Sequence, residues 1–401
     1  MTGLLEPGSP RAAGVADDQA LLAAMLRVEV AWARALVVAG LATAESAAAV
    51  AAAAEVLRPD PVSLAAETEA AGNPVAPLVA LLRDGVGSAH AGAVHRGLTS
   101  QDVLDTALVL LARDGLMRVA TDLRTTGDAL AELARAHRDT VTVGRTLTQY
   151  AVPTTFGLKA AHWLAGVDEA GRSIGAVRDQ LPVQNGGAAG TRALMTHLAP
   201  AADHSAVLAA FAGDLGLEPA PLPWHTRRAT ITRIGDALVS ATDALGVLAA
   251  DVLLLGRPEV GEVHEGASVG RGGSSTMPHK QNPVLSVLVR AAALQAPLLG
   301  AQLHLAAATS HDERPGGAWH SEWPALARLL ELAVTAASQA AELASGLEVD
   351  IDAMAGRAES AAAALLSERG SGDPDPRSYL GQAGTLVDEA LRHWTDGAPH
   401  G

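Results

Sequence analysis

Residues 103–137 contain no proline, and apolar side chains return every seven positions along them. Leu116, Leu123 and Leu130 form one row, and Val119, Thr126 and Leu133 form another. Rows offset in this way describe the a/d seam of one helix, about 50 Å long at roughly 1.5 Å per residue. A second seam fills 231–255, with Leu238, Leu245 and Val252 in one row and Ala241, Leu248 and Leu255 in the other. Seams of this length bury against other long helices. The prediction is an all-α chain built on a central bundle of long helices, with part of the seams left for other subunits.

Helical patterning also covers 19–57, closed by Pro59 and Pro61, then a short helix opening at Asn73-Pro74, then 154–181, 284–308 and 322–346, the last opening near Pro324. Glycine- and proline-rich loops at 85–97, 144–153, 182–190 and 256–283 separate them. No strand-like alternation of useful length appears. Three helical domains are expected: an N-terminal one at 1–102, the central bundle at 103–348 carrying the 256–283 loop, and a small C-terminal unit at 349–401. The run Gly-Ser-Gly-Asp-Pro-Asp-Pro at 370–376 reads as a mobile loop within the last.

Composition narrows the chemistry. Of the 401 residues 49% are hydrophobic and only 2% aromatic, so small apolar side chains must pack helices closely. A formal net charge of -15 argues against nucleic acid or an acidic membrane surface as the main partner. A local pocket of Arg, Lys and N–H groups can still take an anionic substrate. The absence of cysteine removes disulfides, thiolate metal sites and cysteine nucleophiles. Residues 1–10 lack the basic and apolar regions of a signal peptide, and no uninterrupted apolar run of about 18 residues is seen. A soluble cytoplasmic protein is the default expectation.

The most chemically loaded segment is Gly272-Gly-Ser-Ser-Thr-Met-Pro-His-Lys-Gln-Asn-Pro283. Preceded by Gly266 and Gly270, it can turn backbone N–H groups inward around an anion. Ser274 and Lys280 can share that pocket. A serine hydroxyl is a feeble base unless a nearby ammonium and N–H groups stabilise its alkoxide. Thr99 and Ser100 read as caps of the first long helix, whose N-terminus attracts an anion in any case. Asn282 before Pro283 reads as a further helix cap, compatible with substrate binding. His320 and Glu322 lack metal-ligand spacing and read as a structural or inter-subunit pair, so no metal is expected.

Gly273-Ser-Ser-Thr-Met-Pro-His-Lys-Gln-Asn-Pro283 resembles the signature of the fumarase/aspartase superfamily. His95-Arg-Gly-Leu-Thr-Ser-Gln-Asp-Val-Leu-Asp-Thr106 resembles its first substrate loop, and Gly144-Arg-Thr146 with Pro153-Thr-Thr-Phe-Gly157 the second. Ala71-Gly-Asn-Pro74, Gly186-Gly-Ala-Ala-Gly-Thr191, Leu222-Pro-Trp-His-Thr226, Glu313-Arg-Pro-Gly-Gly-Ala-Trp-His320 and Tyr379-Leu-Gly-Gln-Ala-Gly384 are most similar to its 3-carboxy-cis,cis-muconate cycloisomerases. The resemblance spans nearly the whole chain, which is somewhat shorter than those enzymes at its C-terminal end.

The resemblance implies an all-α homotetramer with active sites shared between subunits and no cofactor. The substrate would be a small di- or tricarboxylate, with bond making or breaking β to a carboxylate. Ser274 would be the catalytic base and acid, Lys280 and Asn282 would bind a carboxylate, and Met277 would shape the loop. Thr99 and Ser100 would hold a second carboxylate, Thr146 and Gln149 would line the pocket, and His95 would lie near the leaving group. The expected activity is conversion of 3-carboxy-cis,cis-muconate to 4-carboxymuconolactone, in aromatic degradation. The other readings are β-elimination of nitrite from nitrosuccinate and a tetrameric binding protein whose site has decayed.

The chain departs from the pattern in two ways. Relatives that expel an amine or hydroxyl carry histidine in the second loop, some right after the threonine and others, the cycloisomerases included, three residues later; this chain has Leu147 and Tyr150 there. Tyrosine, with an ordinary pKa near roughly 10, is a poor acid or base at neutral pH. Amines and alkoxides need a proton as they leave, whereas a carboxylate or nitrite departs as an anion. The other departure is Arg192, where an apolar residue is the norm: pointed into the pocket it is a bidentate donor to a carboxylate or nitro group, and pointed outward it is a solvated arginine.

Overall fold

The fold was obtained as a computed structural model, which describes residues 3–266, 268, 270–273, 276–277 and 280–396. Four helices open the chain: α1 (Asp18–Val38), α2 (Ala44–Val56), α3 (Pro61–Ala71) and α4 (Val75–Val86). The long α5 (Ser100–Ala136) leads into a hairpin, β1 (Val141–Thr146) and β2 (Gln149–Thr155). Then come α6 (Phe156–Arg178), α7 (Ala193–Leu198), α8 (His204–Leu215), α9 (Ala229–Leu255), β3 (Val263–Glu265), α10 (Val284–Ala308), α11 (Ala318–Ser345) and β4 (Leu347–Val349). The last elements are α12 (Ile351–Ser360), α13 (Ala362–Leu365) and α14 (Ala383–Asp396). The 19–57 pattern is two helices, because Gly40 at φ 70 ends the first and the Thr43 side chain caps the second.

The helices α5, α6, α9, α10 and α11 close into a ring, each packed on the next. The seams face its core: Leu116, Leu123, Leu130, Leu238, Leu245 and Leu248 are at most 1% exposed. By length and composition alone α9 and α10 could cross a membrane, yet both pack within the bundle. Their outward faces stay apolar at Val247, Leu294, Leu298 and Leu305, each more than half exposed. Two short antiparallel ladders, β1–β2 and β3–β4, add strand where sequence alternation was too short to announce it. The α12 and α13 helices sit on the hairpin, whereas α14 returns to lie along α6 and α5. There the Trp394 indole covers Gly127, donates to Asp128 (2.9 Å) and receives the Arg124 guanidinium on its face.

Buried charge pins the starts of α5, α9 and α11 together. Arg228, fully buried, contacts Asp105 (2.7 and 3.0 Å) and Glu322 (2.6 to 3.1 Å). Burial opposes its charge, but the two carboxylates outweigh that and hold the guanidinium above its ordinary range. Burial pushes the Glu322 carboxyl up, with Arg228 pulling against it. Glu322 therefore points inward, while His320 donates to the Gly72 carbonyl (2.9 Å) and the two do not pair.

Candidate active site

The N-terminus of α5 is the first assembly point. Asp102, fully buried in its first turn, accepts from the Thr99 N–H (3.0 Å), the Gly186 N–H (2.8 Å), the Gly187 N–H (2.9 Å) and His225 Nε2 (2.8 Å). One carboxylate thus fixes the glycine-rich 184–192 segment against the start of α5. That segment carries Arg192, whose N–H donates to the Gly186 carbonyl (2.8 Å) and whose Nε donates to the Asn185 carbonyl (3.0 Å). Burial lowers the Arg192 pKa and the Asp102 charge counters it. Arg192 is thus half-buried and tethered at the start of α7. Gly97, at φ 88, lets the backbone pass where a Cβ would strike the Met195 sulfur at 2.6 Å.

Two neighbours complete this end. The Arg314 guanidinium, from the turn between α10 and α11, donates to the Thr99 hydroxyl, and its Nε is buried with no hydrogen-bond partner among the described residues. His95 stands at φ 59, with its ring held by Glu29 of α1. Left-handed geometry costs a residue with a Cβ roughly 1–2 kcal/mol. Among the described residues such non-glycine positions are His95, Leu147, Thr148, Arg192 and Asp312; the first four are or adjoin predicted site residues, and Asp312 precedes Arg314 by two positions.

The second assembly point is the other end of the bundle. The hairpin register pairs Thr146 with Gln149 across Leu147-Thr148, a two-residue turn with both φ positive, at 48° and 69°. Leu147 is 96% exposed and Tyr150 46%. Arg145 pairs with the buried Glu262 (2.6 and 3.0 Å), which also meets Arg357 of α12 at 3.0 Å. The Arg357 guanidinium is held above its ordinary range, first by a hydrogen bond with the Tyr150 hydroxyl, despite some burial. Tyr150 thereby faces a cleft of about 480 Å³ against α12, shared with Asp352, Gly356 and Ser360.

The glycine-rich signature loop roots at this same end. Gly272, at φ 75, accepts from both the backbone N–H (2.8 Å) and the side chain (2.9 Å) of Asn282. A Cβ there would meet the Asn282 carbonyl at 2.6 Å. Asn282 is thus a loop clasp and not the cap of α10. Glu265 takes that role, accepting from the Leu285 (2.9 Å) and Ser286 (3.1 Å) N–H groups. The Lys280 N–H donates to the Met277 carbonyl (3.0 Å), and both side chains are exposed. Ser274 lies outside the described residues. Arg271 ties the loop to Glu265 (3.6 Å) and Glu342.

Within one chain the predicted residues therefore form two groups. His95, Thr99, Ser100 and Arg192 stand at the start of α5, with Arg314. Thr146, Gln149, Tyr150, Met277, Lys280 and Asn282 stand beyond its end. With 37 residues, α5 separates them by about 55 Å. Sequence reasoning missed Glu29, Asp102, Glu262 and Arg314. The readable signals were a carboxylate on the apolar face of α1 and a charged residue inside each of three quoted or glycine-rich motifs.

Residues 10–298 match a family model described as lyase. The chain is 45% identical over 404 aligned residues to nitrosuccinate lyase of Streptomyces davaonensis, covering 98% of this chain and 85% of the relative. It is 41% identical over 344 residues to 3-carboxy-cis,cis-muconate cycloisomerase of Pseudomonas aeruginosa, covering 85% of this chain and 74% of that enzyme. The crystal structure of 3-carboxy-cis,cis-muconate lactonizing enzyme from Pseudomonas putida superposes with a TM-score of 0.86 at 33% identity, over 95% of this chain and 96% of that one.

Proposed function

This chain belongs to the fumarase/aspartase superfamily of lyases, and from that premise we propose that it eliminates nitrite from nitrosuccinate, leaving fumarate. In this reading Ser274, as its alkoxide, takes a proton from the carbon α to one carboxylate. The electron pair passes into that carboxylate as an aci-dianion, which Lys280, Asn282 and loop N–H groups stabilise with fixed donors. The pair returns to form the double bond as the C–N bond breaks, and nitrite leaves with the bonding electrons. Closure of the 262–283 loop excludes water during the step.

The observation that carries this reading is the hairpin, whose Leu147 and Tyr150 offer no imidazole to protonate a basic leaving group. Positioned acid catalysis typically contributes about 10²- to 10⁴-fold, and an anion such as nitrite forfeits little of it. Arg192 and Arg314 at the start of α5 suit the remaining carboxylate and the nitro oxygens. The high identity to a nitrosuccinate lyase over nearly the full chain agrees.

The second reading is lactonisation of 3-carboxy-cis,cis-muconate, favoured by the likeness to cycloisomerases in sequence and fold. There a substrate carboxylate adds across a double bond and Ser274 protonates the adjacent carbon. It shares the carbanion, the loop and the lack of a basic leaving group. Purified protein incubated with each substrate separates the two. Fumarate and nitrite appearing in equal amounts supports the first; loss of carboxymuconate absorbance alone supports the second. Inertness toward both points to the decayed binding protein.

Either chemistry needs both residue groups at one substrate. The tetramer we propose places the hairpin and signature loop of some copies beside the α5 N-terminus of another. The apolar outward faces of α9 and α10 supply a surface for that assembly. The three-domain division remains part of the same proposal, with α14 docked across the bundle.

A further inference from the structure

We propose that Glu29 is the positioning residue for His95, fixing its Nδ1 as the protonated nitrogen so that Nε2 is the atom meeting the departing group. The inference rests on the reading of His95 as part of the active site and adds to it a residue from α1.

The geometry is a two-point clamp. Glu29 Oε1 stands 2.6 Å from His95 Nδ1, and Oε2 accepts the His95 backbone N–H at 2.9 Å. An ionised carboxylate can only accept, so the facing ring nitrogen must carry the proton. The opposite nitrogen, Nε2, has no hydrogen-bond partner among the described residues, and the ring keeps 16% exposure. The same carboxylate grips the backbone of a residue at φ 59 and so helps to hold a left-handed conformation.

Packing alone does not account for a carboxylate here. Glu29 is 0% exposed and lies between Val28 and Val30 on a helix whose neighbours Met25, Leu26 and Trp32 are core. Among the described residues its only ion-pair partner is His95. Burying a carboxylate without a cation costs several kcal/mol. The His95 Nδ1–H and backbone N–H are the donors that offset part of this cost. One turn along α1, Trp32 Nε1 donates to the Arg96 carbonyl (2.8 Å). Arg83 holds the Val94 carbonyl (3.2 Å), and Arg96 turns away to the Leu41 carbonyl (2.8 Å). The backbone on both sides of His95 is thereby fixed, and the ring is aimed by Glu29.

Two measurements test this. In the intact protein labelled with ¹⁵N-histidine, His95 resonances are identified by their loss in His95→Gln. Protonated Nδ1, with Nε2 either bare or also protonated, is expected; bare Nδ1 with protonated Nε2 overturns the assignment, and this readout needs no turnover. In steady-state kinetics on whichever substrate the wild type converts, Glu29→Gln should lower kcat at least about tenfold with KM within about twofold. The double variant with His95→Ala should fall no further than His95→Ala alone. Wild-type kcat in Glu29→Gln beside a crippled His95→Ala rejects the role of Glu29 but keeps His95. Wild-type kcat in His95→Ala rejects the site reading itself.

Discussion

Arg145 and Glu262 meet through contacts of 2.6 and 3.0 Å, fastening the β1–β2 hairpin to the root of the signature loop. That pair puts Gln149, Tyr150, Lys280 and Asn282 at one end of the bundle. Thr99 and Arg192 are at the other end of a 37-residue helix. A dicarboxylate spans only a few ångströms, so no single copy presents both groups to it.

The first expectation concerns complementation. Ser274→Ala and Thr99→Ala variants, each inactive alone, should regain activity when unfolded together and reassembled as mixed oligomers. Some sites in the mixture then draw both intact groups from different copies. Mixed oligomers that stay as inactive as their parents count against the shared site.

Ser274→Ala by itself should keep the oligomeric state and lose at least about a thousandfold in turnover. The loss reflects removal of the group that exchanges the carbon-bound proton. Near-normal turnover in a sizing-verified variant rejects Ser274 as that group.

Arg192→Ala should weaken substrate binding. A hydrogen bond to a charged group is worth roughly 1.5–3 kcal/mol, which is about a tenfold to hundredfold rise in KM. Arg192→Lys should recover only part, because an ammonium lacks the planar fork. An unchanged KM in both variants would place the guanidinium outside the pocket.

The Arg228 cluster predicts a stability effect of a different kind. Arg228→Met leaves Asp105 and Glu322 buried together without their cation, a loss of about 3–5 kcal/mol. Thermal unfolding should show a large drop in midpoint, and adding Asp105→Leu and Glu322→Leu should restore much of it. A small drop in the single variant contradicts the burial of both carboxylates as anions.

Acid should loosen the signature loop at Glu342. Hydrogen bonds from Arg11 and then Arg271 hold this carboxyl below its ordinary value, against modest burial. A lowered folded pKa contributes stability that is complete above the unfolded value, roughly 4.3, and lost as pH falls through the folded one. Protease nicking near Arg271 should therefore rise below about pH 4 in the wild type. In Glu342→Gln it should already be raised at neutral pH and change less with acid; equal pH dependence in both proteins rules the anchor out.

The helices and the chemistry-bearing loops were legible in the sequence because their signals are local. Leucine rows, proline breaks and a glycine-rich run each act within a few turns of chain. The hairpin was not, since its register is short, and its Leu147-Thr148 turn lacks the glycine or asparagine that usually announces one. Glu29 and Arg314 escaped notice for a different reason: each matters through a partner 66 or 215 positions away. The sequence by itself determined the bundle, the family and the residue types that meet a carboxylate. Only the tertiary structure decided which of those residues share an end of α5, because burial forces polar partners together across distances that no local pattern encodes.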